Sequence, residues 1–309
     1  MTLMLSHFAS LDHVTPPGHP EQVARYNAVL AALGTPEFDP LTLDEAPVCD
    51  RDELLRCHPE DYVTRIEDAI PVTSFVSLDA DTHVSSGSLE AAMRAVGGAC
   101  RAVDEVVAGT HKNSFVAMRP PGHHAETATA MGFCLFGTVA IAAKRALDHH
   151  GLGKVAVIDF DVHHGNGTQD LLWNEARALF VSSHQMPLYP GSGAAHETGA
   201  HGNVMNCPLD PMTGGAEMRR TYEREVFPAV EAWDPDLILV SAGFDAHAAD
   251  PLANLLWSTE DFGWITREIC KLADTVCDGR VVSSLEGGYD LDALGASTAA
   301  HVTALMEAS

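Results

Sequence analysis

The chain has 309 residues, 46% hydrophobic and 20% charged, a balance that excludes a disordered chain and supplies core for one large α/β domain or two ordinary ones. Its formal charge of −25 at pH 7 speaks against a nucleic-acid partner, which requires clustered Lys and Arg. The acidity either draws cationic substrates over long range or only keeps the surface soluble.

No stretch reaches the roughly 18 consecutive apolar residues of a bilayer span, so no membrane partner is expected. The opening Met1-Thr2-Leu3-Met4-Leu5-Ser6-His7 lacks a basic segment ahead of an apolar core, and a cytoplasmic location follows by default. Seven cysteines, Cys49, Cys57, Cys100, Cys134, Cys207, Cys270 and Cys277, are odd in number and show no Cys-x-x-Cys spacing. They read as reduced, buried thiols.

No repeat, low-complexity tract or Pro/Ser-rich linker divides the chain, so a single domain over residues 1–309 is expected. His19-Pro20-Glu21 opens a helical pattern with Val23, Tyr26, Leu30 and Leu33 on one face, stopped by Gly34-Thr35-Pro36. Residues 35–87 read as short pieces broken by five prolines, with a short helix opening near Cys57–Tyr62. From Ser88 to Val107 apolar residues recur at helical spacing. Beyond this, short apolar runs at 115–118, 155–160, 179–183, 237–241 and 281–285 read as strands. Helices are expected near 136–149, 167–176 and 215–233, and after each of the last two strands. That alternation means βαβ units and a parallel sheet covered on both faces.

In such sheets ligands bind beyond the carboxyl ends of the strands. Here the strand ends lead into Arg119-Pro120-Pro121-Gly122-His123-His124, Asp161-Val162-His163-His164, His184, Ala242-Gly243-Phe244-Asp245 and Glu286-Gly287-Gly288-Tyr289. Five strand ends thus deliver His, Asp and Tyr to one edge, where chance would scatter them over both. Within Asp159-Phe160-Asp161-Val162-His163 the alternating residues share one direction. Two carboxylates and an imidazole aimed at one point call for a cation between them. Asp161 and His163 supply two ligands and Asp245 is the natural third. Zinc fits, and a carboxylate-rich site would also accept iron, cobalt or manganese.

These motifs, with Gly132-Phe133-Cys134 and the continuation His164-Gly165-Asn166-Gly167, resemble the histone deacetylase family in content and order. The similarity runs from His19-Pro20-Glu21 to the last helix, and the size resembles the bacterial histone deacetylase-like amidohydrolases of class II type. The resemblance implies an α/β, three-layer arginase/deacetylase-like fold with a central, mostly parallel sheet flanked by helices. It implies zinc-dependent hydrolysis of an acylated amine such as acetyl-lysine, with a homo-oligomer left open. His123 and His124 correspond to the acid/base pair, with His124 taking a proton from the attacking water. Tyr289 corresponds to the donor that stabilises the oxyanion, and Asp159 to the acceptor that fixes the tautomer of His123.

Asn166 corresponds to the residue that orients His124, where class I members carry Asp. A neutral amide stabilises an imidazolium less than a carboxylate does, so His124 should be neutral more readily. The family's potassium site maps onto Asp159, Asp161, backbone oxygens near His163 and Ser183, and the Ser182 hydroxyl. Gly132, Phe133 and Tyr189 map onto the acyl-lysine channel. The loop 75–88, including Asp79, Asp81 and His83, is the candidate for the channel rim, its contacts left unassigned. Two other readings keep the same residues. One is hydrolysis of an acetylpolyamine or other small amide, against which Leu252 argues because polyamine-preferring relatives carry an acidic gatekeeper there. The other is a non-catalytic acyl-lysine binder, against which the complete set of ligands, histidines and Tyr289 argues.

Overall fold

The computed structural model describes residues 1–309. Its centre is an eight-stranded sheet: β1 (Thr2–Ser6), β2 (Thr42–Glu45), β5 (Asn113–Ala117), β6 (Val155–Asp159), β7 (Ala178–Gln185), β8 (Val204–Leu209), β9 (Leu237–Ala242) and β10 (Val281–Leu285). The spatial order is β2-β1-β5-β10-β9-β6-β7-β8, and every pairing is parallel. Two short antiparallel strands, β3 (Phe75–Ser77) and β4 (His83–Ser85), form a separate hairpin.

The inner strands alternate their side chains between two apolar layers. Ala156, Ile158, Ile238 and Val240 enter one layer, and Val155, Val157, Leu237 and Leu239 the other. The first layer is closed by α1 (Val23–Leu33), α7 (Gly215–Thr221), α8 (Phe227–Trp233), α9 (Thr259–Val276) and α10 (Leu291–Glu307). The second is closed by α4 (Ser88–Val107) and α5 (Thr138–Asp148). Between them in the chain lie α2 (Arg51–Leu54), α3 (Glu60–Ala69) and α6 (Asn166–Leu172). Caps set where helices begin. Ser258 and Asp261 form a capping box at α9, and the Asp290 carboxylate accepts from the Ala293 amide at α10.

Several boundaries differ from the sequence pattern. Strands β1, β2 and β8 were not expected, the last two for a local reason. β2 is a largely exposed edge, and Pro208 stands one residue before the end of β8, where only an edge strand tolerates it. The channel-rim segment holds the β3–β4 hairpin, and the helix expected at 167–176 stops at Leu172. The helix expected over 215–233 contains a π-helical segment, Tyr222–Val226, just before Pro228. Proline lacks the N–H that would close the regular ladder there. Met218, Tyr222, Val226 and Val230 are buried as the pattern requires.

Register aligns what the site needs. Asp159 pairs with Ser182 on one side and Ser241 on the other, at the carboxyl ends of three adjacent strands.

Candidate metal centre and catalytic pocket

Asp161, His163 and Asp245 converge from the loops after β6 and β9, with one ligand atom each within 4.8 Å of the others. His163 Nδ1 lies 3.1 Å from Asp161 Oδ1 and 3.2 Å from Asp245 Oδ2. The outer oxygens are already occupied. Asp161 Oδ2 accepts from the Gly287 amide at 2.8 Å, and Asp245 Oδ1 from the Val162 amide at 2.9 Å. Each carboxylate is thereby left with one oxygen facing inward. Gly287 is required here, because a Cβ would collide with the inner oxygen of Asp245 and with Asp161.

Both aspartates are fully buried. Burial raises the Asp245 carboxyl above its usual range, and the neighbouring Asp161 adds to it. Burial pulls His163 down, but its hydrogen bonds to Asp161 and Asp245 carry it up to about 10. The cluster therefore demands positive charge, and a divalent cation fits two carboxylates and one imidazole in a water-poor pocket. Asp104, His149 and His150 also lie close enough to share an ion. There the Arg145 guanidinium already engages both Asp104 oxygens, at 2.7 and 2.9 Å.

The histidines sit side by side, with ring centroids 4.0 Å apart. His123 Nδ1 is 3.0 Å from Asp159 Oδ2, and His124 Nδ1 is 2.7 Å from Asn166 Oδ1. The two environments push the rings in opposite directions. For His123, burial works downward, but Asp161 and Asp159 outweigh it and raise the imidazole well above its ordinary value. For His124, burial and the neighbouring His123 and His163 lower it well below. Gly132, at φ +54°, lets its loop pass His124, since a Cβ there would strike the ring.

Tyr289 closes the opposite wall. Its backbone amide donates to Asp250 Oδ2 at 2.7 Å, and the Arg25 guanidinium lies 4.8 Å from its ring centroid. A cavity of about 220 Å³ is lined by Asp81, His124, Gly132, Phe133, His163, Leu188, Tyr189, Leu252 and Tyr289. The four residues expected as channel walls are therefore brought together, joined by Asp81 of the expected rim and by Leu188, which sequence reasoning did not place there. Asp81 belongs to the hairpin, which is tied in where the Phe133 amide donates to Thr82 Oγ1 at 3.0 Å.

Of the residues expected around a potassium ion, Asp159 and Ser182 are register partners on neighbouring strands. Ser182 Oγ lies 2.9 Å from His184 Nδ1, and His184 Nε2 lies 3.0 Å from the Gly193 carbonyl. That carbonyl only accepts, so Nε2 carries the proton and Ser182 donates to Nδ1. The lone pairs of Ser182 are left for a cation. Ser183 Oγ lies 2.7 Å from the Tyr222 hydroxyl.

A support missed from the sequence lies behind Tyr289. Glu21 accepts from Arg119 Nε and Nη2, both at 2.6 Å, and from Arg25 Nη1 at 3.0 Å, all fully buried. Arg25 then donates to the carbonyls of Glu286 and Gly288. Nothing local marks this cluster, because its partners are far apart in the chain.

The histone deacetylase domain model matches residues 19–305. The chain belongs to the histone deacetylase family. It is 38% identical to histone deacetylase 14, chloroplastic, of Arabidopsis thaliana, covering 98% of this chain and 76% of that protein. It is also 38% identical to the histone deacetylase-like amidohydrolase of Pseudomonas aeruginosa, covering 89% and 74%. The crystal structure of the HDA15 HD domain superposes with a TM-score of 0.93 at 30% identity, over 99% of this chain and 89% of that one. The family comprises deacetylases and amidohydrolases, so hydrolysis of an acylated amine is the family-level activity. The α/β fold expected from the resemblance is present, with all eight strands of its sheet parallel. No helix is long and apolar enough to cross a membrane.

Proposed function

We propose that this histone deacetylase family member removes acetyl or related acyl groups from lysine-like primary amines as a zinc-dependent amidohydrolase, in one catalytic unit spanning residues 1–309. The observation that carries the reading is the convergence of His124, His163 and Tyr289 on one cavity lined by Phe133, Tyr189 and Leu252. Its apolar walls suit an alkyl chain, and its polar floor suits an amide.

Asp161, His163 and Asp245 would hold the zinc ion. When bound, that ion supplies Lewis-acid polarisation of the acyl carbonyl and makes a nearby water more acidic. A potassium ion would be held by Asp159, Asp161, Ser182 and backbone oxygens of His163 and Ser183. His124, kept neutral and with Nε2 free of intramolecular partners, accepts the proton of the attacking water. His123, kept cationic by Asp159 and Asp161, donates to the departing amine. Pairs of titratable groups driven apart by their surroundings divide acid and base duties in this way. Tyr289 donates to the carbonyl oxygen as negative charge builds on it.

Phe133, Tyr189 and Leu252 form the walls that exclude water around the alkyl chain. Leu252 offers no charge to a second ammonium, which favours acyl-lysine over acetylpolyamines.

The test compares acetate release from an acetyl-lysine peptide and from acetylputrescine, before and after chelation and after return of Zn²⁺. Turnover of the peptide that vanishes on chelation and returns with Zn²⁺ is expected. Full-speed hydrolysis by metal-free protein refutes the metal assignment, and preferential turnover of acetylputrescine refutes the substrate. Acyl-lysine binding without acetate release, in zinc-loaded protein, refutes catalysis.

A further inference from the structure

An amide beside His124 can face the ring either way round, offering its oxygen to an Nδ1–H or its nitrogen to an Nδ1 lone pair. Only the first leaves Nε2 as a base. Asn166 Oδ1 sits 2.7 Å from His124 Nδ1, and Asn166 Nδ2 donates to Glu126 Oε1 at 2.8 Å. A carboxylate only accepts, so a turned amide would set oxygen against oxygen at Glu126. His124 and Asn166 are almost completely buried, which removes water as an alternative partner.

Glu126 is itself held in place. Its amide donates to the Thr129 carbonyl at 3.0 Å, closing a tight turn. The next residue, Thr127, donates its amide and its hydroxyl to Asp170 Oδ2 at 2.8 and 2.6 Å. Asp170 lies one turn beyond Asn166 on α6, so turn and helix are joined at two points.

We propose that Glu126 is a positioning residue for hydrolysis: by orienting the Asn166 amide it fixes His124 in the tautomer with Nδ1 protonated and Nε2 free. The triad is His124–Asn166–Glu126, and the charge that class I members place directly on the histidine stands one residue further away. This rests on the reading of His124 as general base.

The test uses Glu126→Ala and Glu126→Gln, each in the natural chain and in Asn166→Asp. Losing a hydrogen bond to a charged group costs about tenfold to a hundredfold, so Glu126→Ala should lower kcat by that factor with KM and metal content unchanged. Glu126→Gln retains an acceptor oxygen and should stay within about threefold to fivefold of the natural enzyme, since a neutral acceptor is weaker but still orienting. With Asn166→Asp the sign inverts, because two facing carboxylates repel and removing Glu126 raises kcat. A harmless Glu126→Ala, or an equal loss in both backgrounds, overturns the proposal. Imidazole ¹⁵N shifts, assigned by the signal lost in His124→Ala, read the tautomer without turnover. They should show Nδ1–H alone in the natural protein and a mixture in Glu126→Ala. An unchanged tautomer in that variant overturns the proposal, and a changed one supports it even in a protein that hydrolyses no acylated amine.

Discussion

Replacing Tyr289 by Phe removes one hydroxyl and leaves the supports of the ring in place. The backbone amide keeps its bond to Asp250, the guanidinium of Arg25 still covers the ring, and Phe133 still meets its edge at 5.8 Å. Burial raises the phenol well above its ordinary range, with Arg25 opposing and Asp245 adding to the rise. The natural group therefore stays a protonated donor at any working pH. Removing one preorganised donor from a buried oxyanion site costs about 10²–10³ in kcat, or roughly 3–4 kcal/mol. KM should move by less than about threefold, since the bond strengthens only as charge develops. Initial rates of acetate release against substrate concentration, with zinc content measured on the same samples, separate the two terms. A kcat within about fivefold of the natural enzyme at full zinc occupancy refutes the oxyanion role. A loss of zinc would show instead that Tyr289 supports the metal loop.

Glu21→Gln should destabilise the fold by about 3–5 kcal/mol in urea unfolding, because it strips charge from a carboxylate that Arg119 and Arg25 share in full burial. The same change should lower kcat, since Arg25 also holds the carbonyls of Glu286 and Gly288; unaltered stability refutes the structural weight given to the buried Glu21 charge. His301 is driven by burial from 6.5 down to about 3, so between those values the unfolded chain binds a proton that the native state does not. Stability from this group is thus full above pH 6.5 and falls on acidification by about 1.4 kcal/mol per unit. His301→Gln should flatten that slope in urea titrations between pH 6.5 and 4.5, and an unchanged slope shows that the ring titrates normally. Leu252→Glu places a carboxylate at the channel wall and should raise kcat/KM for acetylputrescine relative to an acetyl-lysine peptide. A rise confined to the peptide refutes the position of Leu252.

The central strands were legible because burial on both faces forces unbroken apolar runs, as in Val155-Ala156-Val157-Ile158 and Leu237-Ile238-Leu239-Val240. The candidate site residues could be read as a group because a parallel sheet sends the residues that follow its strands to one edge. Edge strands were not legible. β2 needs no apolar alternation when only one neighbour binds it and its residues stay largely exposed. The hairpin that brings Asp81 to the cavity was hidden by Asp-rich, turn-like sequence, although the Asp79 carboxylate accepts from the amides of Asp81 and Thr82 and shapes that turn. Glu126 was equally hidden, since a glutamate in a polar turn looks like a solvated one until its partner is seen.

The Arg25–Glu21–Arg119 cluster and the Glu286–Tyr289 segment show why local reading stops where it does. Four consecutive residues after β10 touch each working part in turn. Glu286 Oε2 accepts from the amides of Gly122 and His123 at 2.7 and 3.1 Å, which fixes the histidine turn. The Gly287 amide fixes Asp161, the Gly288 carbonyl receives Arg25, and Tyr289 enters the cavity. The sequence displays the tyrosine and the glycines, but their alignment with His123 and Asp161 exists only because β10 lies between β5 and β9 in the sheet. His123, Asp161 and Tyr289 are therefore held to one another by backbone bonds across neighbouring strand ends. Such a frame sets reacting groups to the fraction of an ångström that catalysis requires, which flexible side chains alone could not do.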